Sequence, residues 1–142
     1  MKRIFTTALL CSSFIACGDS TGIAPDDIDG TWTATSFMAT NPANPAESED
    51  FLAAGGSFTI TFRADGTFTS TTVEEGVTDT DTGTYTVSGS TITIAESGSG
   101  SPTPVVATRD GNTMTLTWSD DEIDWNDDGT DDPAYFEMVI RR

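Results

Sequence analysis

From Gly30 onward the chain repeats one pattern: short runs in which apolar residues alternate with threonine or serine, each closed by Gly, Asp, Asn or Ser. Phe58, Ile60 and Phe62 alternating with Ser57, Thr59, Thr61 and Arg63 give the clearest case. A period of two places one set of side chains on a core face and the other toward water, which is a half-buried strand and not a helix. Threonine and aromatic residues favour the same outcome, because branched or bulky side chains fit a pleated surface and crowd a helical one. Trp32, Ala34, Ser36 and Met38 alternate in this way with Thr33, Thr35 and Phe37. Further runs are Thr67 to Val73, Thr84 to Val87, Ile92 with Ile94, Val105 to Arg109, Met114 to Trp118 and Phe136 to Ile140. Ala64-Asp65-Gly66, Ser88-Gly89-Ser90 and Asp110-Gly111-Asn112 read as hairpin turns. Eight strands joined mostly at hairpin length predict an all-β fold, either an eight-stranded antiparallel up-and-down barrel or a β-sandwich.

One connection breaks the rhythm. Ala39 to Gly56 opens on Asn41-Pro42-Ala43-Asn44-Pro45, which excludes a helix there, and continues into Ala46 to Ala54, a candidate short helix ended by Gly55. Such a segment is either a lid over a barrel mouth or a surface excursion. Glu96 to Pro104, rich in Gly and Ser, reads as a flexible loop.

The first sixteen residues belong to a different kind of sequence. Lys2 and Arg3 precede a mostly apolar stretch from Ile4 to Ile15, too short to span a bilayer, and Phe14-Ile15-Ala16-Cys17 follows. A small residue before cysteine resembles the lipobox of bacterial lipoproteins, although Phe14 stands where a smaller aliphatic residue is usual. The resemblance implies a signal peptide over 1–16, acylation of Cys17, a polar tether over 17–29 and a barrel domain over 30–142. It also implies a lipid-anchored protein of the bacterial cell envelope. Gly18 after the cysteine favours the outer over the inner membrane by analogy with enteric bacteria.

Once Lys2 and Arg3 leave, four arginines face 23 acidic residues, a net charge of −19 (4 − 23). So acidic a surface repels phosphate backbones and anionic headgroups, so nucleic acid is not an expected partner. The mature chain holds no His, no Lys and no cysteine beyond Cys17. Disulfides, thiol or Schiff-base nucleophiles, Ser-His relays and His- or thiolate-bound zinc are thereby excluded. Only carboxylate and hydroxyl chemistry remains, and the acids gather in one loop instead of facing each other across a cleft. No enzyme is expected.

Gly30-Thr31-Trp32 at the head of the first run resembles the G-x-W motif of lipocalins. The stretch Gly83-Thr84-Tyr85-Thr86-Val87-Ser88-Gly89-Ser90-Thr91-Ile92-Thr93-Ile94 is similar to lipocalin-like domains of bacterial envelope lipoproteins. The likeness implies a barrel whose closed end is plugged by Trp32, with Arg141 or Arg142 packed over it. It further implies a small, apolar ligand and a monomer. Whether the interior is open stays undecided: Ala34, Ser36, Ser70 and Thr72 leave room, while Phe58, Phe62, Phe68, Tyr85, Trp118 and Phe136 are large enough to fill it. A filled barrel would instead present loops to a protein or polysaccharide partner.

Between the last two runs, Ser119 to Ala134 carries eight acidic residues. Asp124-Trp125-Asn126-Asp127-Asp128-Gly129-Thr130-Asp131-Asp132 fits D-x-N-x-D-G-x-x-D, a spacing that resembles the calcium loops of EF-hands and thrombospondin type 3 repeats. Alternate oxygens converge when the backbone wraps an ion, and Gly at position six allows the sharp turn. Asp124, Asn126, Asp128, the Thr130 carbonyl and Asp132 are the expected ligands of a structural calcium ion. Tyr135 replaces the usual twelfth-position acid, which predicts weak affinity, on the order of 10⁻⁴–10⁻³ M.

Overall fold

All eight alternating runs form strands, and a ninth, short strand arises inside the long connection. The structure, a computed structural model, describes residues 22–98 and 101–142. In chain order the elements are α1 (Pro25–Ile28), β1 (Gly30–Thr40), β2 (Ser48–Asp50), a 3₁₀ turn (Ala53–Gly55), β3 (Ser57–Phe62), β4 (Thr67–Glu74) and β5 (Val77–Ser88). They continue as β6 (Thr91–Glu96), β7 (Thr103–Asp110), β8 (Thr113–Ile123) and β9 (Asp132–Arg141). From β3 to β9 each strand pairs antiparallel with the next, and β1 pairs with both β3 and β9, so the sheet closes on itself. The fold is an eight-stranded up-and-down barrel, not a sandwich. Each barrel strand is paired on both sides over at least part of its length, which leaves little edge to template aggregation.

Strand β1 carries an irregularity that its sequence does not announce. Ala34 lies opposite Ile140 and Ser36 opposite Val139, so Thr35 is an extra residue, a β-bulge. Because side chains alternate, one inserted residue exchanges the faces beyond it. Trp32 and Ala39 are both fully buried although seven positions apart, and Phe37 also turns inward. The even-numbered face assigned to this run is therefore correct for Trp32 and Ala34 and reversed for Ser36, Met38 and Phe37. The bulge puts a phenylalanine, not a serine, into the barrel.

The long connection also departs from expectation. Ala46 to Ala54 forms no α-helix: Ser48–Asp50 pairs with Met38–Thr40, and only a single 3₁₀ turn follows. Phe51 anchors the segment, its N–H donating to the Phe37 carbonyl at 3.0 Å and its ring 4.7 Å from that of Phe37. Ser119 to Ala134 is likewise less of a loop than its composition suggests. Asp120 and Asp121 are paired with Ala134 and Pro133, and the true connection is 124–131.

One end of the barrel is plugged. Trp32 is fully buried, and its Nε1 donates to the Ile28 carbonyl at 2.7 Å. Ile28, also fully buried, comes from α1, and Ile23 N–H donates to the Gly89 carbonyl at 2.9 Å. Residues 22–29, expected to belong to the tether, instead lie against the barrel end, with Ile28 buried there as its stopper. Arg109 locks them from outside through an ion pair of 2.6 Å with Asp27. Phe62 and Tyr85, edge to face at 4.9 Å, complete the plug, and the Tyr85 hydroxyl donates to the Arg63 carbonyl at 2.8 Å. Burial, with Asp29, Asp65 and Asp26 adding negative charge nearby, raises the Tyr85 phenol above its ordinary value and keeps it a neutral donor.

Gly83 sets how closely the strands can approach. It lies opposite both Phe68 and Glu96 in the ladder. A Cβ there would collide with the Ala95 carbonyl oxygen and come within 2.7 Å of Phe68 Cε1 and 2.9 Å of Glu96 Cα. Two of these three obstacles are backbone and cannot swing aside. Gly83→Ala is expected to cost about 2 kcal/mol, the scale of overpacking a well-packed site, and to lower the melting temperature by roughly 5–10 °C. Differential scanning calorimetry measures this; an unchanged melting temperature would show that the strands part freely at that point.

Candidate ligand-binding chamber

Beyond the plug the barrel is hollow. A cavity of about 530 Å³ lies between the core and the end opposite Trp32. Phe37, Phe58, Phe68, Ile94, Leu116 and Met138 supply much of its apolar wall. Each arrives by the period-two rule from a different strand, β1, β3, β4, β6, β8 and β9 respectively, with Phe37 delivered by the bulge. The small residues Ser70 and Thr72 stand where bulkier ones would close the space, as their size suggested. Of the large aromatics, Phe62 and Tyr85 join the plug, whereas Phe58, Phe68 and Trp118 become walls and leave the middle open.

The mouth has its own architecture. Trp118 and Phe136 face each other across the β8–β9 ladder with rings 5.0 Å apart and nearly parallel, and Phe37 sits 5.8 Å from Trp118. Together with Ala39, Ala134 and Phe51 they form a second small core beside the opening. None of the lining residues comes from the described part of the 41–56 connection, and Phe51 of that segment packs against the wall at Phe37. The lining residues that are exposed include Asp81, Glu96, Asp120 and Glu122, and these mark the rim. Removal from water, followed by the charges of Asp120, Glu96 and Asp131, holds the Glu122 carboxyl above its usual range.

None of these four carboxylates was assigned to a chamber rim from the sequence, yet their positions were implicit in it. Asp81 precedes Gly83 and Tyr85 on one face, Glu96 follows Ile92 and Ile94, and Asp120 and Glu122 follow Leu116 and Trp118. Extending each inward alternation to the strand end would have found them.

At the opposite end Gly30 has φ +118°, a conformation that glycine adopts without strain, and it starts β1 just before the buried Trp32. Between the two candidate arginines the structure chooses Arg142. Its guanidinium carbon lies 4.8 Å from the Trp32 ring centroid, and its Nη1 donates to the Asp29 carbonyl at 2.9 Å. Arg141 ends β9 opposite Thr33 and Thr113, exposed, and takes no part in covering Trp32.

The acidic connection curls tightly. Asp124 accepts from the N–H groups of Gly129 at 2.7 Å and Asp128 at 3.1 Å, which holds its carboxyl below the ordinary range. Asn126 Oδ1 accepts from Asp128 N–H at 3.0 Å, and Asn126 Nδ2 donates to Asp132 at 3.2 Å. Asp128 accepts from Thr130 N–H at 2.9 Å, and Asp132 also accepts from Trp125 N–H at 3.2 Å. The loop's side-chain oxygens are thereby turned onto its own backbone. Among the described residues no three acidic side chains converge as a ready-made metal cage. Cys17 lies outside the described residues.

A family model described as a lipocalin-like domain matches residues 28–116, more than half of the chain. No curated protein and no solved structure matches it. The matched span runs from the Ile28 stopper and Gly30-Thr31-Trp32 to Leu116 on the chamber wall, so it takes in both the plug and most of the cavity. With the closed eight-stranded barrel on the page beside that match, the chain belongs to the lipocalin-like domain family.

Proposed function

We propose that this protein is a lipid-anchored binding protein of the bacterial envelope whose barrel takes one small molecule with an apolar body. The observation that carries the reading is the chamber: about 530 Å³, apolar-walled and open at one end, within the range of small-molecule sites. A filled barrel working only through its surface loops would not keep such a space, because unfilled apolar volume costs stability. Binding is favoured over catalysis by the donor inventory, since neither His, Lys nor a core thiol is available in the mature chain. Occupancy is expected to be saturable at one site. Titration with the neutral fluorophore N-phenylnaphthylamine should give a single class of site. Ser70→Phe, which fills the chamber from β4, should weaken it at least about tenfold with an unchanged far-ultraviolet circular dichroism spectrum. Non-saturable uptake, or equal affinity in the filled variant, would remove the reading.

Anchoring is supported by the leader and by the geometry of the closed end. Gly22 and Ile23 leave the barrel beside the β5–β6 turn at Gly89. A lipid on Cys17 would then hold the plugged end toward the membrane and turn the mouth away from it. Cys17→Ser is expected to move the protein from the membrane to the soluble envelope fraction, as immunoblotting of the two would show. Retention of the variant on the membrane would argue against acylation.

Calcium in the acidic connection is a separate proposal, resting on the spacing Asp124, Asn126, Asp128, Thr130 and Asp132 and on the all-oxygen chemistry of that set. Taking up an ion requires those oxygens to exchange backbone N–H partners for the cation, which fits the weak class of site. Trp125, whose Nε1 donates to the Pro133 carbonyl at 3.2 Å, stands within the loop. Terbium emission sensitised by Trp125 and a calcium-dependent rise in melting temperature are the expected signals. Silence in both would dispose of the ion.

A further inference from the structure

The charges of this barrel are sorted by end. All four arginines beyond the leader belong to the plugged half. Arg109 pairs with Asp27, Arg142 covers Trp32, and Arg141 ends β9 beside it. Arg63 follows β3, whose last residue, Phe62, pairs with Gly30 at the start of β1. No arginine lines the chamber, and lysine is absent beyond residue 2. Asp81, Glu96, Asp120 and Glu122 therefore gather around the mouth with no cationic side chain among the described lining residues. Low-dielectric walls beneath a ring of one sign concentrate the field in the opening and raise the local concentration of oppositely charged solutes.

Two further observations lie inside the chamber, independent of the acids. Ser70 is the one buried polar residue among those described, 5% exposed. It lines the cavity and puts a hydroxyl-bearing side chain among the apolar walls. The second observation is aromatic. Phe37 lies 6.0 Å from Phe58 and 5.8 Å from Trp118, and all three line the cavity. Asp120 follows Trp118 by two residues on the same face of β8. Aromatic surface beside a carboxylate is a favourable setting for an ammonium group, which is attracted by ring faces as well as by charge.

We infer that the ligand of this chamber is a cationic amphiphile: an apolar body inside the barrel, with a protonated or quaternary amine among the rim carboxylates and aromatic rings. The inference rests on the binding function proposed above and narrows it. A fatty acid or other anionic amphiphile would fit the walls equally well, but its head group would meet four carboxylates and no cation.

Three ligands of equal chain length separate the ideas: dodecyltrimethylammonium, dodecanol and dodecanoate, each below its aggregation concentration, titrated into the purified protein by calorimetry and by intrinsic tryptophan fluorescence. The cation is expected to bind on the order of tenfold more tightly than the neutral alcohol. The carboxylate should bind more weakly than either, and the spread should shrink as salt screens the rim. In the triple variant Asp81→Asn, Glu96→Gln, Asp120→Asn the ratio of cationic to neutral affinity should fall toward one. Equal affinities for the three ligands in the unmodified protein would overturn the cationic preference and leave the binding function standing. Failure of all three to bind would instead overturn the binding function itself.

Discussion

The hydrogen-bonded seam between β1 and β9 is the constraint from which the rest of this molecule follows. With no cysteine beyond Cys17, no disulfide can staple the domain, so the sheet must be held by closing upon itself. β1 does this by serving three partners. Its first residues pair with β3, its last with β2, and Thr33 to Thr40 pair with β9 along the other edge. Closure removes the exposed edges that an open sheet of threonine-rich strands would present to neighbouring chains. It also defines an inside, and with it the question of how much of that inside is filled.

The two ends answer differently, and the bulge at Thr35 lies between the answers. Before it, Trp32 points inward onto the Ile28 carbonyl, and Phe62, Tyr85 and Ile28 leave no space. After it, Phe37 and Ala39 point inward, and Phe37 packs sideways onto Phe51, Trp118 and Phe136. A regular strand would have aimed Ser36 and Met38 inward and exposed Phe37. The extra residue gives the chamber its aromatic wall and keeps that wall beside the opening, not across it.

How much of this was legible in the sequence depends on the range of the interaction. Period-two alternation is local, so strand positions and hairpin order could be read directly: Phe58-Ile60-Phe62 and Met114-Leu116-Trp118 needed no partner to be recognised. The plug could be read in part, because Gly30-Thr31-Trp32 is a short motif with a backbone reason for its glycine. The bulge could not, since it exists only as a mismatch in register between β1 and β9, a hundred residues apart. The stopper was hidden for a similar reason. Pro25-Asp26-Asp27-Ile28 is polar and too short for any periodicity, and only the Trp32 indole and Arg109 give it a place. The expected helix at 46–54 lost to pairing with β1, which offers backbone partners that a two-turn helix beside prolines cannot match.

The sorting of charge joins these pieces into one physical picture. A chain with six basic and 23 acidic side chains cannot neutralise itself, so where the cations go decides where the field is strong. Arg109 and Arg142 are fixed to the plug by structural duties, one holding α1 through Asp27 and the other covering Trp32. The same interactions that seal one end therefore withdraw positive charge from the other. A negative mouth is then a consequence of how the barrel is closed, as well as of how many acids it carries. The stopper also fixes the N-terminal segment at the plugged end, on the side away from that mouth. Closure, plug and electrostatic polarity are one arrangement, and a mutation that freed Arg142 from Trp32 would disturb all three.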